Sequence, residues 1–436
     1  MAGPLIQQTD LPGGLRVVSA QMPGVESVSV GTWVNAGARD ELAREHGMAH
    51  MLEHMAFKGT TTRTAADIAR EVEDIGGYIN AHTSSEETAY YLRILPEDLA
   101  FGVELLADIV IRSTFPDEEI AREKGVIIQE IGQANDTPDD IVFDLSREVS
   151  FPDHTLGRPI LGTVDSVNSF EQADIHGFRK RHYHKPNIII SAAGALDHEQ
   201  LVRKIETNFS DLGDAPQSCP REKPSWPVSS KARCRTITRD LEQTHLVIGF
   251  AGLPAAHEDM HILSALSVLY GGGMSSRLFQ EAREKQGLCY SVFSFPQGFS
   301  DSGYFGIYAG TSRQDAARMV RLAGDQLNAV ADGATDDETH RAIAQISANL
   351  RMRQESVVAV GEILPRHLRL YGEVRSTSSI LEQIQRISSA DIRHMARTLL
   401  QQPPTLAAIG PDGVAELEDP ALLDQAFGGR FNGTQA

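Results

Sequence analysis

The order of strand-like and helix-like segments in the first half of this 436-residue chain recurs in the second, and that recurrence limits the fold more than any other feature. In the first half, Gly14–Ser19 and Ser27–Val34 are rich in β-branched residues, the second clearly alternating, so both read as strands. A helical run through His50–His54 follows. Thr64–Gly77 has a threonine start signal, an amphipathic middle and a glycine stop. Tyr78–Leu95 then reads as two strands, Pro96–Arg112 as a helix with Leu99, Val103 and Leu106 on one stripe, and Pro116–Ile131 as a further helix. The second half repeats the series: Thr236–Phe250 is strand-like, His257–Tyr270 helical, and Ser276–Gln286 a helix stopped by Gly287. Tyr290–Phe295 and Gly303–Ala309 read as strands, Ala316–Ala331 and Asp336–Arg353 as helices. The run Phe115-Pro-Asp-Glu-Glu resembles Ala334-Thr-Asp-Asp-Glu, which sets the two halves in register. The expectation is an α+β protein of two homologous domains, each an antiparallel sheet with helices packed on one face. Asp214–Val228 carries four prolines and little periodicity, and reads as the join. The boundaries expected are therefore 1–213, 214–234 and 235–436, with a loose tail from Phe427.

Only the first half carries a cluster of metal-ligating residue types. His50, Glu53 and His54 read H-x-x-E-H. On a helix, positions i and i+4 share a face, so both imidazoles can reach one ion. Glu53, one residue before the second histidine, is placed to handle a water on that ion. The order is the inverzincin one, which points to metal-assisted peptide hydrolysis. A polar helix face with satisfied histidines is the alternative. A third ligand is needed, and the helix-like run Pro116–Ile131 offers Glu123 and Glu130, two helical turns apart on one face. Glu130 borders the apolar positions Ile127, Ile128 and Ile131; a solvated acidic face is the other reading. In register, Glu130 falls on Asn349, Glu123 on Ala342, and Glu53–His54 on no comparable pair, so the second copy lacks the set.

With these residues in place the chain resembles the pitrilysin family of zinc peptidases, which includes insulin-degrading enzyme and the mitochondrial processing peptidase. The resemblance implies one Zn²⁺ per chain on His50, His54 and Glu130, with Glu53 as general base and Glu123 as a carboxylate that orients a ligand. It also matches Asn80-Ala81-His82-Thr83-Ser-Ser-Glu-Glu-Thr88 to the family stretch N-A-x-T-S-x-E-x-T. In the family that is an edge strand whose backbone pairs with an extended peptide, so Asn80, Ala81 and Thr83 are substrate-binding candidates. Read without the resemblance, the stretch is an ordinary turn with capping hydroxyls. Arg283 and Tyr290, seven residues apart, match a family pair that binds substrate backbone and supports the tetrahedral intermediate; on their own they are an exposed helix Arg and a strand Tyr. The family's architecture sets that pair opposite the zinc, from another half of the clamshell. A two-domain chain is then expected to be a homodimer, with Arg283 and Tyr290 supplied in trans to peptide substrates in a closed chamber.

Other features carry less. His182-Tyr-His184 lacks further ligands and reads as a structural turn. Gly271-Gly-Gly273 is not followed by the Lys-Ser/Thr of a phosphate loop and reads as a flexible turn. Gly157-Arg-Pro-Ile-Leu-Gly-Thr163 resembles a family loop near the metal site, with no chemistry assigned. The formal net charge of −19 disfavours nucleic acid and anionic membrane surfaces as partners. Cys219, Cys234 and Cys289 are too few and scattered for a disulfide framework or a Cys-based zinc site, which suits a reducing compartment. The N-terminus has no basic n-region or apolar h-region, and no run approaches 18 apolar residues. A cytoplasmic protein without membrane insertion is expected. The rival functions are a structural assembly subunit and a peptide-binding subunit of a heteromeric peptidase; both fit poorly with a chain that keeps the whole zinc set.

Overall fold

The computed structural model describes residues 4–214, 221–227 and 233–428. The chain forms two compact units. The first comprises Met1–Gln133, Arg158–Arg221 and Met352–Val374, the second Ala134–Gly157, Glu222–Arg351 and Arg375–Ala436.

The first unit is built on strands β1 (Leu5–Asp10), β2 (Arg16–Gln21), β3 (Val28–Val34), β4 (Tyr78–Thr83), β5 (Thr88–Ile94) and β6 (Ile188–Gly194), in the spatial order β1-β2-β6-β3-β5-β4. Every neighbouring pair is antiparallel except β2 and β6. β3 shows why a central strand reads as it does. Val28, Val30 and Val34 enter the larger core beside Leu52, Met55, Val103 and Leu106 of the helices Met48–Ala56 and Leu99–Ile111. The alternate residues face the other side of the sheet, and there Ser29 lies against Gly361 of the helix Val357–Tyr371. That helix packs Val357, Val360, Leu364 and Leu368 onto Val18, Ala20, Ile189 and Ala193. The Ser191 hydroxyl, otherwise a buried polar group, donates to the Gly361 carbonyl at 2.7 Å.

The second unit repeats the plan with β7 (Cys234–Thr238), β8 (Thr244–Ala251), β9 (Cys289–Gly298), β10 (Gly303–Thr311) and β11 (Thr405–Gly410), in the order β7-β11-β8-β10-β9. Here β7 and β11 form the parallel pair. With β1 set aside, the two orders correspond strand for strand. One face carries the core that includes Leu263, Leu266, Met319 and Ile392. The other is covered by the helix Pro138–Ser150, whose Val142 and Leu145 pack with Val247, Tyr308, Ala407 and Ile409.

The two-domain α+β expectation holds, with differences in detail. Each sheet contains one parallel pair, and each is covered on both faces. The second cover comes from the other half of the chain: 134–157 belongs to the second unit and 352–374 to the first, so a cut at the proline-rich segment does not separate the compact units. Both exchanged helices are amphipathic, and an apolar stripe says that a helix is buried without saying on which sheet. The strand-like stretch Thr236–Phe250 divides into β7 and β8. Ser276–Gln286 becomes a short helix, Arg277–Phe279, running into a π-helix, Gln280–Lys285. Of the expected join, 215–220 with Cys219 and 228–232 lie outside the described residues, as does the tail from 429. No helix among the described residues is long and apolar enough to cross a membrane.

Candidate metal centre

Two helices of the first unit bring the sequence-derived ligand set together. His50 and His54 lie on Met48–Ala56, Glu123 and Glu130 on Asp117–Asp136. The short helix buries Met48, Ala49, Met51, Leu52 and Met55, which turns both histidines toward the second helix. Nε2 of His50 and Nε2 of His54 each stand 3.7 Å from the same carboxylate oxygen of Glu130. One ligand atom from each of the three residues falls within 4.8 Å of the others, the one such set of His, Cys, Asp or Glu among the described residues. Ligand atoms about 2.1 Å from a tetrahedral ion stand about 3.4 Å from one another. The two histidine-to-Glu130 distances of 3.7 Å lie close to that spacing, and an N₂O donor set suits Zn²⁺.

The protonation pattern suits an ion as well. Nδ1 of His54 lies 2.9 Å from Glu123 Oε2, so the Nδ1–H donates there and the Nε2 lone pair is left for a metal. Glu123 is only 5% exposed, and its other oxygen meets Lys58 Nζ at 2.6 Å. Burial, reinforced by the neighbouring His54, lowers the His50 pKa to about 4, which keeps that imidazole neutral and able to ligate. His50 Nδ1 is buried with no hydrogen-bond partner among the described residues.

Glu53 faces the edge strand. The Thr83 hydroxyl of β4 donates to Glu53 Oε2 at 2.5 Å. Burial raises the Glu53 pKa and nearby Glu130 adds to this, against the Thr83 hydrogen bond and the charges of His54 and His82. β4 lies at the rim of the sheet, paired among the described residues with β5 alone. At the hairpin end the Ser84 N–H donates to the Glu87 carbonyl at 2.7 Å. Antiparallel alternation from that point leaves the backbone groups of Ile79, Ala81 and Thr83 directed to the open edge. The Ala81 N–H confirms the phase: it donates to the side-chain Oδ1 of Asn80 at 2.9 Å rather than to β5. Asn80 thus blunts an edge that would otherwise invite pairing.

Arg283 and Tyr290 belong to the second unit, where the guanidinium lies over the Tyr290 ring at 5.0 Å and over Phe279 at 4.9 Å. Tyr290 is 73% exposed at the start of β9, a large aromatic on the surface. His182 and His184 join no metal set, and His182 packs on the Phe178 ring at 4.5 Å. Gly271 is no flexible turn: it ends a helix, buried against Ser294, where a Cβ would meet the Ser294 amide nitrogen at 2.8 Å. Sequence reasoning missed Lys58 and the link from Thr83 to Glu53. Lys58 stands four residues after His54, the one local signal available. Nothing local marks Thr83 as a partner of residue 53.

Comparison with known proteins places the chain in a family. Residues 16–164 match the family model described as Insulinase (Peptidase family M16), and residues 169–346 match the Peptidase M16 inactive domain. An uncharacterized zinc protease of Streptomyces coelicolor is 38% identical over 93% of this chain and 90% of its own length. One from Rickettsia bellii is 39% identical, covering 93% and 97%, and one from Bacillus subtilis is 33% identical, covering 94% and 99%. Among solved structures, a protease from Helicobacter pylori superimposes with a TM-score of 0.86 at 22% identity, over 94% of this chain and 100% of the other. A peptidase M16 inactive domain from Pseudomonas fluorescens gives 0.84 at 20% identity, over 93% and 98%. The family resemblance read from the H-x-x-E-H motif is thereby borne out, and the chain belongs to peptidase family M16, the insulinase family.

Proposed function

We propose that this chain is a zinc-dependent endopeptidase that cleaves peptides or unfolded segments in the cytoplasm. The observation that carries the reading is the convergence of His50, His54 and Glu130, with Glu53 beside His54 on the same helix. Zn²⁺ held by that set would supply a Lewis acid for the scissile carbonyl and acidify a water. Glu53 accepts the proton of the attacking water and delivers it to the amide nitrogen as the C–N bond breaks. Thr83 holds the Glu53 carboxylate in place, and Glu123 holds the His54 ring. An extended peptide pairs with the outward backbone groups of β4, after the Asn80 side chain gives up the Ala81 amide. Pairing with the backbone demands an extended chain and reads little sequence.

Arg283 and Tyr290 supply donors for the developing oxyanion. In this reading the protein is a homodimer that closes a chamber around its substrate, and each chain's Arg283 and Tyr290 serve the zinc of its partner. Mixing a Glu53→Gln chain with an R283A/Y290F chain tests the arrangement. Donation in trans restores one working site in each mixed dimer, whereas donation within a chain restores none.

The reading as a whole is tested by metal analysis and cleavage of a quenched peptide. Stoichiometric zinc, and activity lost in E53Q by about 10³-fold or more, are expected. A chain without zinc and without E53Q-sensitive cleavage would instead be a non-catalytic structural or peptide-binding subunit.

A further inference from the structure

The helix that carries both histidines begins without a cap of its own. Gly47 occupies the N-cap position at φ +92°, and having no side chain it leaves the first-turn amides without the usual partner. The neighbouring loop requires glycine there. A Cβ on Gly47 would meet the Leu161 carbonyl oxygen at 2.8 Å and Gly162 Cα at 2.9 Å. Gly162, at φ +79°, is bound by the reverse contact, since its Cβ would meet the His46 carbonyl oxygen at 2.5 Å. The His46 Nε2–H donates to the Pro159 carbonyl at 2.8 Å and pins the same loop.

Glu41 takes the place of the missing cap. One oxygen of its carboxyl group accepts the Gly47 N–H at 2.9 Å, the other the Ala49 N–H at 2.8 Å. Glu41 is 4% exposed, with Arg158 of the same loop among the charges acting on it. The approach to the helix is held as well, because Glu45 pairs with Arg181 at 2.5 Å. His50 is the third residue of a nine-residue helix, so it lies inside the turn that Glu41 closes. Fraying of that turn displaces a ligand, not merely a helix end.

We infer that Glu41, acting with the Arg158–Thr163 loop that presses on Gly47, is a positioning residue for the metal centre, holding the first turn of the ligand helix so that His50 is in place before an ion arrives. This rests on the metal-centre reading above, and the test separates the two. Zinc affinity of wild type, E41A and E41Q is measured by competition with a chromogenic chelator. Hydrogen exchange of the Met48–Met51 amides is followed in the metal-free proteins. The expected result is zinc bound about ten-fold or more weakly by E41A, the loss typical when a ligand-orienting partner is removed. E41Q, which keeps one acceptor oxygen, falls between. First-turn amides exchange faster in E41A while β3 and Leu99–Ile111 keep their protection, and peptide cleavage loses kcat with KM retained. Unchanged zinc affinity with unchanged first-turn exchange overturns the inference. So does an equal loss of protection throughout the unit, which would make Glu41 a general stabiliser of the fold. Wild type that binds no zinc sinks the metal-centre reading instead, while first-turn exchange still reports on the clamp.

Discussion

The two units share a strand order, yet they treat one pair of matched positions in opposite ways. In the first unit Glu123 is a buried carboxylate held between Lys58 and the His54 ring. In the second the matched residue is Ala342, 1% exposed, its methyl simply part of the core. Burying a charge is costly unless it is paired. The second unit, where no metal-ligating set lies among the described residues, does not bear that cost. In the first, both Glu123 oxygens are paired, and the Nδ1–H of His54 donates to one of them, leaving Nε2 for a metal. On the proposed function, the difference teaches where catalytic demands fall in a fold of two matching units: on the partners that position the ligands as well as on the ligands.

Zinc should break the symmetry most strongly. Binding only to the first unit, it should slow hydrogen exchange in β3, β5 and Met48–Ala56 and leave β8, β10 and Met260–Gly271 unchanged. At free zinc 1,000 times the dissociation constant the stabilisation is about 4 kcal/mol. Equal protection of both units would contradict a single site.

The Glu123/Ala342 contrast can be exchanged directly. Glu123→Ala should lower zinc affinity about 10- to 100-fold. Ala342→Glu should destabilise the second unit by roughly 3 kcal/mol, since the new carboxylate is buried without a partner. Urea titration of the second variant checks this, and a neutral result there would mean that the two positions are not equivalent.

Acid sharpens the comparison within the metal-free protein. His182, like His50, has its pKa lowered to about 4, mainly by burial. The unfolded chain, with histidine near 6.5, then binds more protons than the folded one between about pH 4 and 6.5. Stability therefore falls as pH drops through that window, by an order of 3 kcal/mol for His182. Glu41, pushed up to about 8 by burial, acts the other way: its contribution falls as pH rises from about 4.5 to 8. His182→Asn isolates the first effect. Denaturation midpoints measured from pH 4 to 7 should flatten in the variant, and an unchanged slope would assign the acid sensitivity elsewhere.

How much of this was open to a reader of the sequence depends on the reach of each interaction. His50, Glu53 and His54 were legible because one helical turn fixes their geometry, and Glu130 because it borders an apolar stripe. The cap from Glu41 was not, since Gly47 announces only that a side chain is absent, and the reason lies in a loop more than a hundred residues away. Thr83 could be matched to a family stretch, but its hold on Glu53 is a tertiary fact. The exchanged helices were hidden for the reason already given: amphipathic pattern reports burial without naming the surface that does the burying.

Those two helices provide the finest test, because they do the same job with different starts. Val357–Tyr371 opens on Ser356, whose side chain accepts the Ala359 N–H. Pro138–Ser150 opens on Thr137 without a side-chain cap bond and relies on Pro138 in its first turn, where the ring presets φ. Ser356→Ala removes a native hydrogen bond and should cost the first unit about 1 kcal/mol. Pro138→Ala leaves the folded helix intact and acts by freeing the unfolded chain, so it should cost the second unit only about 0.5 kcal/mol. Urea titration gives the two losses, and unfolding and refolding kinetics show when each cover docks. Each loss divides between the two rates by how far that helix start is formed in the transition state, slowing refolding where it is formed and speeding unfolding where it is not. A Pro138→Ala loss well above about 1 kcal/mol would exceed what the unfolded chain can supply, and would mean that the proline makes native contacts of its own and that the two covers are held by the same kind of interaction after all.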